Sequence, residues 1–212
     1  MHVKSRTLRP LLAALALAVG SVTALTATSG SAQADAQVCD QFGSVTTPGG
    51  YVVQNNAWGT SAPQCVTQVG DGFQLTRADG SVPTNGAPKS YPSIFAGCHY
   101  TNCSPGTSLP KRIGSIGSVP TSIAYQYVGG AVYDAAYDIW LDPTPKTDGV
   151  NKTEIMIWLN RTGPIQPIGS VTGTVSQGLA TPDWYLTSVQ AGFEPWENGT
   201  GLAVTSFSVG VN

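Results

Sequence analysis

The sequence of 212 residues has little charge, and cationic side chains are especially few. Only 10% of its residues are charged, with 10 Lys and Arg against 12 Asp and Glu. Nucleic acid requires a basic patch, and the sequence contains none, so we predict no nucleic-acid partner. The scarcity of Glu is more informative still, because Glu154, Glu194 and Glu197 are the only three in the chain.

Long stretches of helical periodicity are also lacking. Short runs of β-branched and aromatic residues are separated instead by turn signals such as "TNGAP" and "TDGVN". Gly and Pro are frequent, at 25 and 15 residues. This pattern predicts an all-β fold, a sandwich of the jelly-roll kind.

No hydrophobic run is long enough to read as a confident membrane span. The apolar run "LLAALALAVG" follows three basic residues and leads to the small-residue sites Ala32-Gln33-Ala34 and Ala34-Asp35-Ala36. This order predicts a secretory signal peptide over residues 1–36, with an N-terminal membrane anchor as the alternative. Residues 37–212 then form one secreted, extracellular domain that has no membrane contact after cleavage and carries 7 basic and 11 acidic side chains.

The four cysteines, Cys39, Cys65, Cys98 and Cys103, are an even number in a chain predicted to be secreted, and they allow three pairings. Cys98 and Cys103 bracket a short polar loop, "CHYTNC", and could pair locally. Cys39 and Cys65 would then tie the N-terminal strand to its neighbour. A zinc site is the alternative, but the spacing fits no finger or ribbon, and we predict no metal.

Alternation along "TEIMIWLN" places an acid on the same strand face as a tryptophan. One face carries Glu154, Met156, Trp158 and Asn160. The other face carries Ile155, Ile157 and Leu159, which we expect in the core.

Two further segments repeat this pairing of acid and indole. Asp138 and Trp140 share a face in "YDIWLDP", and Glu194 and Trp196 share one in "TSVQAGFEPW". If the three strands line one concave sheet, its floor consists of carboxylates and indoles. The alternative is that the acids are solvated on an exposed sheet face, as we expect for Glu197.

A floor of this kind suits a carbohydrate. Sugar rings stack on aromatic side chains, and cleavage of a glycosidic bond requires two carboxyl groups, one of which must keep its proton. Glu154 and Glu194 are the candidates for this pair.

Several segments, over most of residues 38–168 and 183–208, resemble the endoglucanases of glycoside hydrolase family 12, in particular secreted streptomycete cellulases. They are "YVVQNNAWG", "NGAPKSYPSIFAGCHYTNCSPGT", "YDIWLDP", "TEIMIWLN", "GPIQPIG" and "DWYLTSVQAGFEPW". The resemblance implies a jelly roll of two curved sheets with a concave groove, retaining hydrolysis of internal β-1,4-glucosidic bonds, a β-glucan polysaccharide as substrate, and no cofactor. We expect the protein to be a monomer.

The resemblance also implies roles for individual residues. Glu154 matches the nucleophile, Glu194 the acid/base, and Asp138 the acid that hydrogen-bonds the nucleophile. Groove contacts are implied for Asn56, Trp58, His99, Tyr100, Met156 and Trp158. The pairs Cys39–Cys65 and Cys98–Cys103 are also those of the family.

The sequence departs from the family between Ser170 and Asp183, where several tens of residues are missing. A remnant of the family's helix is suggested at residues 178–180. Loss of strands and of a helix would leave the sandwich incomplete, with exposed apolar edges and an uncovered sheet face. A non-catalytic β-glucan-binding protein, or an enzyme that prefers xyloglucan or mixed-linkage glucan, therefore remains as an alternative.

Overall fold

The computed structural model of the protein describes residues 35–167, 169–170, 173 and 180–212. Within these ranges the chain is all β except for one 3-10 turn, Ile113–Ser115. The predicted signal peptide lies outside them apart from its last two residues, and so does most of the suggested helix remnant at 178–180. No helix in the described ranges has the length and apolar character needed to cross a membrane.

The strands form two antiparallel sheets, which confirms the prediction of an all-β sandwich. The smaller sheet has five strands in the order β1-β4-β5-β13-β9, and the larger has eight, with the path β11-β10-β12-β6-β3-β2 and with β7 and β8 paired to β6 and β12. The strands are β1 (Gln37–Val38), β2 (Ser44–Thr46), β3 (Val52–Gln54), β4 (Gln64–Val69), β5 (Gly72–Ala78), β6 (Ser93–His99), β7 (Asn102–Cys103), β8 (Lys111–Arg112), β9 (Thr121–Gln126), β10 (Val132–Asp142), β11 (Thr153–Thr162), β12 (Tyr185–Glu197) and β13 (Ala203–Val209).

The main core contains the inward-facing side chains of both sheets. On β12 these are Ala191 and Phe193, both 0% exposed, while Val189 packs in a second cluster with Leu141, and alternation directs the residues between them to the opposite face. Phe73 of the smaller sheet packs edge-to-face on Phe193 at 6.4 Å between ring centroids. The central strands β10 and β12 are therefore held from behind by close packing, which fixes the face that they present to solvent.

Both predicted disulfides are present. Cys39–Cys65 joins the residue after β1 to β4, which pairs with β1, so it ties the N-terminal strand to its neighbour as expected. Cys98–Cys103 closes the hairpin between β6 and β7.

The prediction that Ile157 and Leu159 lie in the core is wrong. They are 44% and 47% exposed, and of the three residues predicted for this face only Ile155 packs against a buried cluster. β11 is the last strand of its sheet, and no described strand pairs with its outer edge. Alternation gave the face of Ile157 correctly, but a β-bulge between Trp158 and Asn160 interrupts it at Leu159, and nothing in the described ranges covers the two side chains at this end of the sheet. The predicted missing segment would follow β11 in the chain.

We expect the double variant Ile157→Ser/Leu159→Ser to change the free energy of unfolding by no more than about 0.5 kcal/mol, because both side chains are already exposed. The same variant should aggregate less, since it removes apolar area beside an unpaired strand edge. Denaturant unfolding and light scattering measure the two effects. Ile94→Ala is the buried control and should cost about 2–5 kcal/mol. A similar loss in the double variant would mean that the two side chains are covered in solution.

Candidate active site

A cavity of about 670 Å³ opens on the face of the larger sheet that points away from the main core. Its walls come from β10, β11 and β12, from the ends of β3, β6 and β7, and from loops. The lining residues are Phe42, Gln54, Asn56, Trp58, Tyr91, His99, Tyr100, Asn102, Asp138, Trp140, Glu154, Gln190 and Glu194. All three acids predicted for catalysis, Glu154, Glu194 and Asp138, therefore face one space.

Four of the predicted groove contacts also line this cavity: Asn56, Trp58, His99 and Tyr100. Met156 and Trp158 do not, although they lie on the same strand as Glu154. The indole N–H of Trp158 is directed at Met156 Sδ, 3.1 Å away. Sharing a strand face with Glu154 was thus not sufficient to place these two side chains on the cavity wall.

The predicted floor of indoles is also only partly present. Trp140 lines the cavity, whereas Trp196 is 1% exposed, and its indole N–H donates to Gly86 O at 2.9 Å. The second indole in the lining is that of Trp58, which comes from a loop.

Asp138 and Glu154 form the first pair of carboxyl groups. In the β10–β11 register Asp138 is opposite Met156 and Glu154 is opposite Trp140, which makes the two acids diagonal neighbours. Their carboxyl groups lie within hydrogen-bonding reach, and a hydrogen bond between them requires a proton on one of the two.

The two acids of this pair differ in pKa, which decides where the shared proton lies. Burial of Asp138 raises its pKa, and the charges of Glu154 and Glu194 raise it further. Burial also raises the pKa of Glu154, but the hydrogen bond from Asp138 lowers it, and Glu154 is the more exposed of the two. The proton therefore resides on Asp138, and Glu154 is left ionised, the state that a nucleophile requires.

Glu194 and Asp134 form a second pair. They are directly opposite each other in the β10–β12 register. Burial raises the pKa of Glu194, and the charge of Asp134 and then that of Glu154 raise it further. Glu194 thus retains a proton, as a general acid must. Asp134 was not among the predicted site residues, although alternation along "YDAAYD" places it on the same face as Asp138.

A buried polar network lies under the cavity beside these acids. Gln54 Nε2 donates to Ser93 Oγ at 2.9 Å and to Gln190 Oε1 at 3.3 Å, so its Oε1 remains as an acceptor. His99 Nδ1 lies 3.2 Å from that oxygen and must be the protonated nitrogen of a neutral imidazole. Burial lowers the pKa of His99 to about 4. His99 is therefore a fixed hydrogen-bonding group rather than a general acid.

The hairpin between β6 and β7 fixes the next cavity residue. Tyr100 and Thr101, its two central residues, have φ of 45° and 69°, the positive values that a two-residue hairpin of type I′ requires. Bulky side chains rarely adopt this conformation, but Cys98–Cys103 closes the loop, and Thr101 N donates to Thr147 O at 2.9 Å. The turn directs Tyr100 to the cavity, 4.7 Å from His99 between ring centroids.

The loop after β3 carries the remaining predicted contacts. Asn56 has φ of 42°, which Asn tolerates, and its carbonyl accepts a hydrogen bond from Tyr91 N at 3.0 Å. Gly59 N donates to Lys89 O at 2.7 Å, and a Cβ at Gly59 would lie 2.5 Å from Pro88 O. This close approach requires glycine, and it holds Trp58 with its indole 44% exposed.

Other lining residues were outside the predicted set. Trp140, which shares a strand face with Asp138, stacks on His99 at 6.2 Å between ring centroids. Gln190 lies on β12 and accepts a hydrogen bond from Gln54. Phe42 and Tyr91 lie outside the regular strands, where no periodicity marks them. Within the described ranges, no group of three or more His, Cys, Asp or Glu side chains is arranged to hold a metal ion.

Comparison with known proteins gives a family for the chain. The model of "Glycosyl hydrolase family 12" matches residues 49–181 and 172–212. A solved structure of "endo-1,4-beta-glucanase CelB2, cellulase" is 55% identical, with a TM-score of 0.80 over 84% of this chain and 100% of the other. A second structure, from a comparison of family 12 glycoside hydrolases, is 56% identical, with a TM-score of 0.80 over 84% of this chain and 99% of the other.

Curated relatives agree with this assignment. "Probable cellulase Cel12b" of Mycobacterium tuberculosis is 42% identical over 150 residues, which are 50% of this chain and 99% of the relative. "Probable xyloglucan-specific endo-beta-1,4-glucanase A" of Neosartorya fischeri is 30% identical over 89% of this chain and 97% of the relative. That alignment runs over 249 positions, more than the 212 residues of the chain, and the family model matches in two parts that meet at 172–181. A segment missing between Ser170 and Asp183 would produce both features.

We expect His99 to make the protein less stable in acid. Its pKa is about 4 when folded against an ordinary 6.5, so its contribution is complete above pH 6.5 and is lost as the pH falls toward 4. His99→Asn keeps a donor near the position of Nδ1 without this titration. Between pH 7 and pH 4 the wild type should therefore lose up to about 3 kcal/mol more unfolding free energy than the variant. Denaturant unfolding at both pH values is the measurement, and parallel losses would contradict the assignment.

Proposed function

Because the chain belongs to glycosyl hydrolase family 12, we propose that it is an endo-1,4-β-glucanase that hydrolyses internal β-1,4-glucosidic bonds with retention of configuration. Cellulose and related β-glucans are the proposed substrates. The observation that carries the proposal is that Glu154 and Glu194 line one cavity while their surroundings give them opposite protonation states. A glycosidase requires this division of roles between two carboxyl groups.

In the first proposed step, Glu154 attacks the anomeric carbon as the bond to the leaving sugar breaks. Glu194 gives its proton to the departing glycosidic oxygen, so the leaving group departs as an alcohol. The product is a sugar bound covalently to Glu154 through an ester. Asp138 is proposed to orient Glu154 through their shared hydrogen bond and to keep it ionised.

In the second proposed step, Glu194 acts as a base. It takes a proton from a water molecule, whose oxygen attacks the anomeric carbon and displaces Glu154. Two inversions give net retention, and this mechanism requires carboxyl groups about 5–5.5 Å apart when substrate is bound. The charge of Glu154 contributes to the raised pKa of Glu194, as expected for carboxyl groups that act on the same bond.

Asn56 and Trp58 are proposed to form one sugar platform, with His99 and Tyr100 as further contacts. The exposed indole of Trp58 offers a flat apolar surface at the cavity mouth, which suits the C–H face of a pyranose ring. The neutral imidazole of His99 keeps one ring nitrogen free as a hydrogen-bond acceptor, which suits a sugar hydroxyl.

Xyloglucan is a second candidate substrate, because relatives with 30–33% identity are named as xyloglucan-specific endoglucanases. Comparing initial rates on xyloglucan, a soluble cellulose derivative and mixed-linkage glucan at equal mass concentration decides between these substrates.

We also propose that the protein acts outside the cell as a monomer. Both pairs of cysteines among the described residues are oxidised, which is usual for extracellular proteins and rare in the cytosol. The signal-peptide pattern over residues 1–36 agrees with this location.

We expect Glu154→Gln and Glu194→Gln to abolish hydrolysis of a soluble cellulose derivative, with Glu194→Gln costing about 10²–10⁴-fold in rate through loss of acid catalysis. An aryl cellobioside with a good leaving group requires no proton, so it should restore the first step in Glu194→Gln and not in Glu154→Gln. Glu197→Gln is the matched control and should keep wild-type activity, because Glu197 does not line the cavity.

Two results would contradict these assignments. Full activity in either glutamine variant would remove that residue from the mechanism. Wild-type protein that binds β-glucan without releasing reducing sugar would instead be a non-catalytic binding protein.

We expect Trp58→Ala to raise the KM for polymeric glucan by about fivefold with little change in kcat, because it removes about 1 kcal/mol of ring stacking from ground state and transition state alike. Steady-state kinetics measures the two constants. Leu159→Ala is the control, since Leu159 has a similar exposure, 47% against 44%, and lies outside the cavity. Equal KM values in the two variants would contradict the proposed platform.

A further inference from the structure

We infer that Asp134 is a positioning residue for Glu194: the two carboxyl groups share one proton, and this sharing sets the pH range in which Glu194 works. The inference rests on the proposed function of Glu194 as the acid and base.

The carboxyl group of Asp134 has few ordinary hydrogen-bond donors. The residue is 0% exposed, and its carboxyl oxygens accept no well-formed hydrogen bond from the described residues, although the backbone N–H of Glu194 is near enough to lower the pKa of Asp134. A buried carboxylate with so little pairing is expensive, by several kcal/mol. Such a side chain is retained either in its protonated form or in contact with a group that supplies a proton.

Glu194 is the group that can supply this proton. It is the cross-strand partner of Asp134 on β12, and the two carboxyl groups lie within hydrogen-bonding reach. Two ionised carboxylates cannot hydrogen-bond and repel each other, whereas a single proton between them converts repulsion into a short charge-assisted bond. The pair therefore holds one proton over a wide pH range and loses its protons in two separated steps.

The other groups that face the pair direct their hydrogen bonds elsewhere or are acids themselves, so they do not take the place of the shared proton. Arg161 is opposite Asp134 on β11, but its guanidinium donates to Ile165 O. The hydroxyl groups of Tyr91 and Tyr125 both donate to Ala136 O, at 3.3 and 3.0 Å. The remaining titratable neighbours are the acids Asp138 and Glu154, whose charges add to the repulsion.

The same repulsion favours both proposed steps of catalysis. Before cleavage, the negative charge of Asp134 raises the pKa of Glu194 and keeps the acid protonated. After cleavage, an ionised Glu194 next to Asp134 is destabilised and takes a proton from water more readily. Asp134 thus acts through Glu194 and need not contact the sugar.

Asp134→Asn tests the inference, because it keeps the shape of the side chain and removes both the charge and the shared proton. We expect the pKa of Glu194 to fall by about one unit or more, because an amide neither repels the carboxylate nor competes for its proton. The pH profile of kcat/KM should move with it, while activity at the new optimum stays within about tenfold of wild type. Asp183→Asn is the control, since this exposed aspartate is remote in register from Glu194, and its profile should match wild type.

Carbon-13 NMR of protein labelled at the glutamate carboxyl groups measures the titration directly. The chain has only three glutamates, and Glu194→Gln assigns the signal. In the wild type, the Glu194 signal should titrate in two steps, because it also reports the ionisation of Asp134. This measurement tests the inference without the Asp134 variant, should that variant not fold.

Three outcomes would overturn the inference: a single-step Glu194 titration in the wild type, an unchanged Glu194 pKa in Asp134→Asn, or an altered pKa with an unchanged activity profile. Failure of the proposed function is distinguishable, because it would appear as full activity in Glu194→Gln. If Glu194→Gln is inactive while Asp134→Asn behaves as wild type, the inference about Asp134 fails and the proposed function stands.

Discussion

Three carboxyl groups line one cavity, and a fourth, that of Asp134, is buried opposite Glu194; none of the ion pairs among the described residues involves these four acids. Four negative charges cannot coexist at this separation in a medium of low dielectric constant. The group must therefore hold protons at neutral pH. The arrangement of the site follows from where those protons reside: one between Asp138 and Glu154, and one between Asp134 and Glu194. Each pair joins a more buried aspartate to a less buried glutamate, and the glutamate of each pair faces the cavity.

The fold imposes this arrangement through strand register. β10 lies between β11 and β12 and carries both aspartates, four residues apart and so on the same face. Each aspartate meets the glutamate of a different neighbour, Asp138 toward β11 and Asp134 toward β12. On the opposite face of β10, Tyr133 and Ala135 are 1% and 0% exposed and pack in the main core. A shift of register by one residue would exchange the two faces, so the packing of the core also secures the proton pairs.

The sequence was sufficient for the parts of the site that depend on alternation. Period-two patterning placed Glu154, Asp138 and Glu194 on cavity-facing sides of their strands, and it places Asp134 there as well. Alternation gives the direction of a side chain but not what lies in front of it, so Ile157 was expected in a core that does not reach it. Trp196 was expected in a groove but is buried against a loop, because a β-bulge between Pro195 and Glu197 interrupts alternation there.

Period-two alternation could not locate the loop residues of the site. Tyr91 and Phe42 lie in segments without periodicity, and contacts between elements distant in the chain bring them to the cavity. Tyr100 was identified only through resemblance, because its position depends on a turn conformation that its residue type disfavours.

The two proposed catalytic glutamates differ in how firmly the fold holds them. Glu194 is on β12, which has paired strands on both sides, whereas Glu154 is on β11, which pairs only with β10 among the described strands. If the segment predicted to be missing between Ser170 and Asp183 is absent, support is removed from the strand of Glu154 rather than from that of Glu194. Misplacement by about 1 Å can cost on the order of 10²-fold in rate without unfolding anything. Loss of activity through this route would leave the Asp134–Glu194 pair and its proton unchanged. The positions of Asp138 and Glu154 across β10 and β11 are therefore the contact on which the activity of this chain depends.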